Sequence, residues 1–257
     1  MKHPLRTLLL AVCCGLAAAC TQRQERLKLM SYNIRNGSGI DNIQDIGRIA
    51  RVILREAPDL VALQELDSAT LRVDGRYIPG ELGRMTGMHA TFGRAIGFAG
   101  GSYGIGLLSR TEPLAVRSIP LPGREEARVL LMAEFPDYTV CITHLSLTPE
   151  DRLASLPIIR EATDTCRKPV LLAGDFNTGN AAAVLAGLGG GFRILSDTTR
   201  MTFPSDNPAV RIDYILGRGL PTSATVAESA VDHTATASDH CPLWVTLVWK
   251  RGKQPGK

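Results

Sequence analysis

The chain of 257 residues is 44% hydrophobic and 21% charged, with a formal net charge of +4. It has apolar material for one sizeable core, at a length common among single domains. The small basic surplus shows no strong stripe, the nearest being Lys250, Arg251, Lys253 and Lys257 at the end, which argues against a protein that grips long duplexes chiefly by neutralising phosphates. Six cysteines, of which Cys13, Cys14 and Cys20 lie near the start, form neither a disulfide framework nor a metal-type C-x-x-C pair.

Lys2 and Arg6 precede an apolar run from Leu8 to Ala19. About 20 such residues are needed to span a bilayer, so this shorter run reads as a secretory signal. It ends in Ala17-Ala18-Ala19-Cys20, which offers a small-residue cleavage site and a cysteine placed for lipidation. Leu16 stands one place earlier than a bacterial lipobox prefers. Residues 1–20 are therefore read as a signal peptide with a possible lipid anchor at Cys20. The mature chain is expected in the cell envelope, anchored to the outer membrane or periplasmic. Without the leader, 27 Lys and Arg face 25 Asp and Glu. One folded domain is expected over 24–250, followed by a disordered tail over 251–257 in which Arg251, Lys253 and Lys257 alternate with Gly and Pro.

Alternation over 27–33 predicts a first strand ending at Asn33. Asp41, three residues before Gln44, resembles a helix cap, and Ile46, Ile49, Ala50, Ile53 and Leu54 repeat at helical spacing until Pro58. Leu60 to Gln64 is a short buried strand that delivers Glu65 at its end. Strands follow at 89–94, 104–109, 116–119, 129–135 and 139–143, separated by Gly and Pro turns. A helix begins near Pro149, but Pro157 is expected to interrupt it and leave a main helix over 156–166. Pro169 to Gly174 is a buried strand ending at Asp175, Ala181 to Leu188 a helix, and Gly189-Gly190-Gly191 a loop. Late strands are expected at 212–216, 225–231 and 243–249. No repeat or linker divides the chain, and many strands with few helices suggest two packed sheets flanked by helices.

Polar residues stand directly after the apolar strands: Asn33, Glu65, His144, Asp175 with Asn177, Asp213, and Asp239-His240. Mg²⁺ takes oxygen ligands and keeps several waters, so one or two carboxylates, a carboxamide and a substrate phosphate suffice to hold it; Glu65 and Asp239 suit that part. Cleaving a phosphate ester further needs a group that orients or deprotonates water, donors for the phosphoryl oxygens, and help for the leaving oxygen. The glycine clusters at 100–101 and 189–191 lack the Lys-Ser/Thr of a P-loop, and five histidines without ligand spacing disfavour zinc.

The pieces S-Y-N, L-Q-E, T-H-L, G-D-F-N, R-I-D-Y and S-D-H-C-P occur in the order of the endonuclease/exonuclease/phosphatase family, from Leu27 to Val248. The chain resembles that family, which implies an α/β fold in the form of a four-layer sandwich, with two packed, mostly antiparallel sheets flanked by helices. The resemblance implies Glu65 as the principal Mg²⁺ ligand, with Mn²⁺ a possible substitute. It implies Asn33 as an amide that positions a metal or a catalytic partner, and Asp239 as a metal-site or phosphate-pocket acid. It further implies that His144 hydrogen-bonds a phosphate oxygen, that Asp175 orients and deprotonates water, and that Asn177 contacts the phosphoryl group. Asp213 would set the tautomer and charge of His240, the donor near the scissile phosphate.

Arg128, with Glu126, matches an E-x-R segment of small bacterial members and is read with Arg152 as substrate-binding. Arg152 is followed three residues later by Ser155, where the family often has glutamine. The expected activity is hydrolysis of a phosphate ester: a nucleic acid, phospholipid or sugar phosphate, with the class left open. The alternative is a non-catalytic envelope module that binds a phospholipid or glycan. No protein partner is expected.

Overall fold

In the computed structural model, which describes residues 24–250, β1 (Gln24–Asn33) is buried on both faces from Leu27 onward. Leu27 and Leu29 point one way and Met30 and Tyr32 the other, into two separate apolar clusters. A strand covered on both sides reads as a nearly unbroken apolar run. β2 (Leu60–Ser68) and, in the second half, β7 (Thr139–His144) and β8 (Val170–Asp175) share this character.

The helices supply the outer cover. α1 (Ile46–Glu56) presents Ile46, Ile49, Ala50 and Ile53 to one cluster, in the stripe expected of an amphipathic helix. Asp45, rather than the Asp41 expected from sequence, caps it by accepting from Gly47 N at 2.8 Å. Asp41 instead pairs with Arg48 and accepts from Ile43 N. α2 (Ile78–Thr86) was not anticipated: it is short, and Pro79, Gly80 and Gly83 hide its period. α3 (Pro149–Asp164) is continuous, contrary to the interruption expected at Pro157. Pro157 and Leu153 lie on the exposed face, so water meets the carbonyl left without its helical donor, while buried Leu156 and Ile159 pin the helix on either side. α4 (Ala181–Leu188) follows β8.

The remaining strands are β3 (His89–Phe98), β4 (Gly101–Ser109), β5 (Ala115–Leu121), β6 (Arg128–Glu134), the two-residue β9 (Arg193–Ile194), β10 (Asp213–Arg218), β11 (Thr225–Val231) and β12 (Leu243–Lys250). They form two six-stranded sheets, ordered β11-β12-β1-β2-β4-β3 and β5-β6-β7-β8-β10-β9. In each, the central pair is parallel, joined through α1 or α3, and every other pairing is antiparallel. One apolar cluster lies between the sheets, a second under α1 and α2, and a third under α3 and α4. This is the four-layer α/β sandwich, and the C-terminal ends of its two parallel pairs meet at one end. The signal peptide, Cys20 and the tail over 251–257 lie outside the described residues.

Candidate active site

Strand alternation alone would turn Glu65 toward the helices. Leu63 and Leu66 both face the helix-side cluster, yet two residues rather than one stand between them. The β2–β4 register shifts at this point, and Glu65 takes φ 58°. Such a bulge re-aims a side chain at the cost of a strained backbone. β2 therefore runs through Glu65 instead of ending before it, and the carboxylate reaches Asn33 at the end of β1.

Asn33, buried, joins the two halves. Its Nδ2 donates to Glu65 Oε1 at 3.0 Å and to Asp175 Oδ2 at 3.2 Å, and lies 3.4 Å from His240 Nε2. Its Oδ1 accepts from Arg35 N, which fixes the amide's sense. The amide nitrogen thus organises both carboxylates. Asp175 is 1% exposed; its Oδ1 accepts from Asn177 N at 2.8 Å. Burial, reinforced by the nearby Asp213 carboxylate, raises its proton affinity well above that of an ordinary aspartate.

The two histidines differ in charge. His144, in register with Asp175, has Nδ1 3.2 Å from Arg128 Nη1. A guanidinium only donates, so Nδ1 accepts and the proton sits on Nε2, 3.6 Å from Asp175 Oδ2. Burial and the Arg128 charge hold the ring neutral, with its pKa well below the ordinary value. His240 Nδ1 lies 3.0 Å from Asp213 Oδ2, and its Nε2 is 3.7 Å from Asp175 Oδ2. Burial opposes its charge, but Asp213, helped by Asp175 and Asp239, prevails and raises the ring to about 10. Asp213 itself pairs with Asp175 across β10 and β8. One neutral donor and one cationic donor therefore flank the same carboxylate oxygen.

The other expected residues are each engaged by their neighbours. Asn177 donates through Nδ2 to Leu145 O at 2.8 Å and has φ 49°, so part of its amide holds the loop after β7. Asp239 is paired with Arg35 at 3.5 Å. Arg152 donates to the carbonyls of Ser146 and Leu147, tying α3 to that same loop. Arg128 is 6% exposed and held by Glu126 and Glu125. Four supporting contacts had no signal in the sequence. Glu125 accepts from Ser146 Oγ, Leu147 N and Thr148 Oγ1. Ser238 Oγ donates to Asn33 O, Arg35 pairs with Asp239, and the Phe203 ring packs 4.8 Å from His240. Each partner is distant in the chain or has an ordinary loop neighbourhood.

Ligand atoms of Asp175, Asp213 and His240 all lie within 4.8 Å of one another, a geometry able to hold a divalent cation. Asp213, however, is engaged by His240 Nδ1, and Arg128 occupies His144 Nδ1. Both Asp175 oxygens are likewise engaged, by Asn177 N and Asn33 Nδ2, whereas Glu65 is bonded through Oε1 alone, so its carboxylate is the oxygen donor most open to a cation. An all-oxygen set suits a hard cation and not a soft one.

The family model described as the endonuclease/exonuclease/phosphatase family matches residues 30–240. The chain belongs to that family. An endonuclease/exonuclease/phosphatase from Beutenbergia cavernae DSM 12333 has a similar structure, with TM-score 0.70, 23% identity, and coverage of 88% of this chain and 72% of that one. A mannosyl-6-phosphatase from Bacteroides thetaiotaomicron VPI-5482 gives 0.68 at 19% identity, covering 86% and 99%. TDP2 of D. rerio, complexed with a single-strand DNA product, gives 0.65 at 23%, covering 86% and 98%. At these identities the likeness is one of fold. No curated protein matches the chain. The endonuclease/exonuclease/phosphatase family is one of phosphoester hydrolases, and this member gathers acids, an amide and two histidines at the end of its sandwich.

Proposed function

We propose that the chain is a Mg²⁺-dependent hydrolase of phosphate esters, exported to the cell envelope, which cleaves by in-line attack of water. The observation that carries this reading is Asp175 Oδ2, shared by Asn33 Nδ2, His144 Nε2 and His240 Nε2 within 3.7 Å. A phosphate arriving there meets one proton acceptor and several donors at once.

Asp175 takes the proton of the attacking water; its raised proton affinity suits a base working near neutral pH. Asn177 N and Asn33 Nδ2 hold its two oxygens in place. His144 offers a neutral N–H to a phosphoryl oxygen, and His240, kept cationic by Asp213, donates to the charge that develops on the phosphate or leaving oxygen. Glu65, with Asn33 and Asp239 nearby in the expected set, would hold the cation, which when bound offsets phosphate charge and orients the ester.

The test is a panel of a chromogenic phosphodiester, nucleic acids, phospholipids and sugar phosphates assayed with Mg²⁺, with Mn²⁺ and with chelator. Turnover is expected with Mg²⁺ and lost with chelator. Asp175→Asn is expected to lower turnover by about 10²-fold or more, while Glu65→Gln raises the Mg²⁺ concentration needed. Wild-type activity in both variants, or binding without turnover on every ester, defeats the reading.

A further inference from the structure

Beside His144 the two sheets leave a slot between them. Tyr103 and Gly104 of β4 form one wall, and Glu126, Arg128 and His144 form the other. Its volume of about 10 Å³ is near the least that takes one water-sized group, so neither a sugar ring nor a hydrated ion fits.

The slot is lined by polar groups that are fixed in place without being saturated. Glu126 accepts from Arg128 Nη1 through Oε1 at 2.9 Å, and its Oε2 has no partner among the described residues. Arg128 Nε is buried and unpartnered. Tyr103 is buried as well, and its Oη makes no hydrogen bond among the described residues. The Tyr103 ring is held from the side: the Arg72 guanidinium lies 5.3 Å from its centroid and donates through Nε to buried Asp67 at 3.0 Å. Burial, with the Glu65 and Glu126 carboxylates close by, raises the proton affinity of Tyr103, so Oη keeps its proton and donates.

Polar contacts connect the slot to the catalytic carboxylate. They run from Glu126 through Arg128 Nη1 to His144 Nδ1 at 3.2 Å, and from His144 Nε2 to Asp175 Oδ2 at 3.6 Å. One imidazole ring thus separates the slot from the point where His144 meets a phosphoryl oxygen.

We propose that Tyr103 and Glu126 form a hydroxyl-reading subsite, which selects phosphate esters whose alcohol carries a second hydroxyl beside the ester carbon. This rests on the phosphoesterase reading above. A hydroxyl both donates and accepts; Tyr103 Oη donates to it and Glu126 Oε2 accepts from it. A methylene in its place leaves a buried donor and a buried acceptor unpaired, and a site built for a hydroxyl rejects such an analogue strongly. Esters of polyols such as glycerol and sugars are favoured over esters of simple alcohols. DNA is disfavoured, since no hydroxyl neighbours either of its ester carbons.

The test compares glycerol 1-phosphate with 3-hydroxypropyl phosphate, which lacks only the hydroxyl beside the ester carbon. Both are offered with Mg²⁺ as monoesters and as methyl diesters, release of the alcohol is measured, and bis(p-nitrophenyl) phosphate serves as the reference ester. Wild type is expected to favour the glycerol ester in kcat/KM by about 10²-fold or more. Tyr103→Phe keeps the ring against Arg72 and removes the donor, and should cut that preference about tenfold. A wild-type preference below about 2-fold overturns the proposal. So does a preference unchanged in Tyr103→Phe, the result expected if the slot holds only a structural water. Cleavage of bis(p-nitrophenyl) phosphate alone defeats the subsite and leaves the phosphoesterase reading standing, whereas no cleavage of any ester defeats both.

Discussion

His240 Nδ1 and Asp213 Oδ2 lie 3.0 Å apart, both buried, in a contact between residues 27 positions apart. The pair gives a sign to the pH dependence. A histidine whose folded pKa is raised to about 10 contributes stability that is complete below its unfolded value, about 6.5, and that is lost as pH rises through about 10. In chelator, Asp213→Asn is expected to lose about 3 kcal/mol at pH 7, and its deficit against wild type should shrink by pH 10. Denaturant midpoints at the two pH values check this; an equal deficit at both refutes it. Turnover should also fall by about 10²-fold, because the ring loses its charge.

Asn33 keeps two carboxylates apart with one N–H₂ group. Asn33→Asp would place a third acid against Glu65 Oε1 and Asp175 Oδ2. Its melting temperature is expected to fall below wild type in chelator and to rise more than wild type on adding Mg²⁺, since a cation relieves like-charge repulsion. Asn33→Ala should show the smaller metal response of the two. Thermal shifts with and without Mg²⁺ decide it.

Glu125 controls the acid side. Burial works against its charge, yet Ser146 Oγ, Leu147 N and Arg128 overcome that and bring it to about 2. A depressed acid contributes stability above its unfolded pKa, near 4.5, that disappears as pH falls through about 2. Glu125→Gln is expected to cost about 1 kcal/mol at pH 7, solvent screening having taken part of the larger value. The difference should close by pH 2, read from urea midpoints along the acid limb.

Pro157 costs α3 a hydrogen bond without supplying a contact to the core. Pro157→Ala is expected to stabilise the protein by about 1–3 kcal/mol, with turnover unchanged because the position faces solvent. An unchanged or lowered melting temperature counts against this account of the helix.

Much of the architecture was legible because the strands that build the site end are buried on both sides and stand out as apolar runs capped by a polar residue. Asp175 after Val170–Gly174 and Asn33 after Leu27–Tyr32 are of this kind. The Glu65 bulge was not legible, since the run from Leu60 to Gln64 continues into it without any glycine to mark the left-handed residue. α2 escaped because Pro79 and two glycines break its period, and α3 was cut short in expectation because periodicity cannot tell which carbonyl a proline leaves facing water. Glu125 was passed over for its neighbour Glu126: two adjacent acids look alike until the loop at Ser146–Thr148 folds back onto one of them.

The strand order carries a consequence for chain connectivity. β11 and β12 return from the second sheet to complete the first, and Gln24 ends up paired with Lys250. A circular permutant that joins these neighbouring ends and opens between Arg110 and Leu114 would build each sheet from one uninterrupted stretch. Its first half would contain β5 to β10 and its second β11, β12 and β1 to β4. Exposed connections of this sort tolerate new termini. Asn33 would then meet Asp175 across the boundary between two contiguous halves, and separately produced halves would each lack part of the centre until they met.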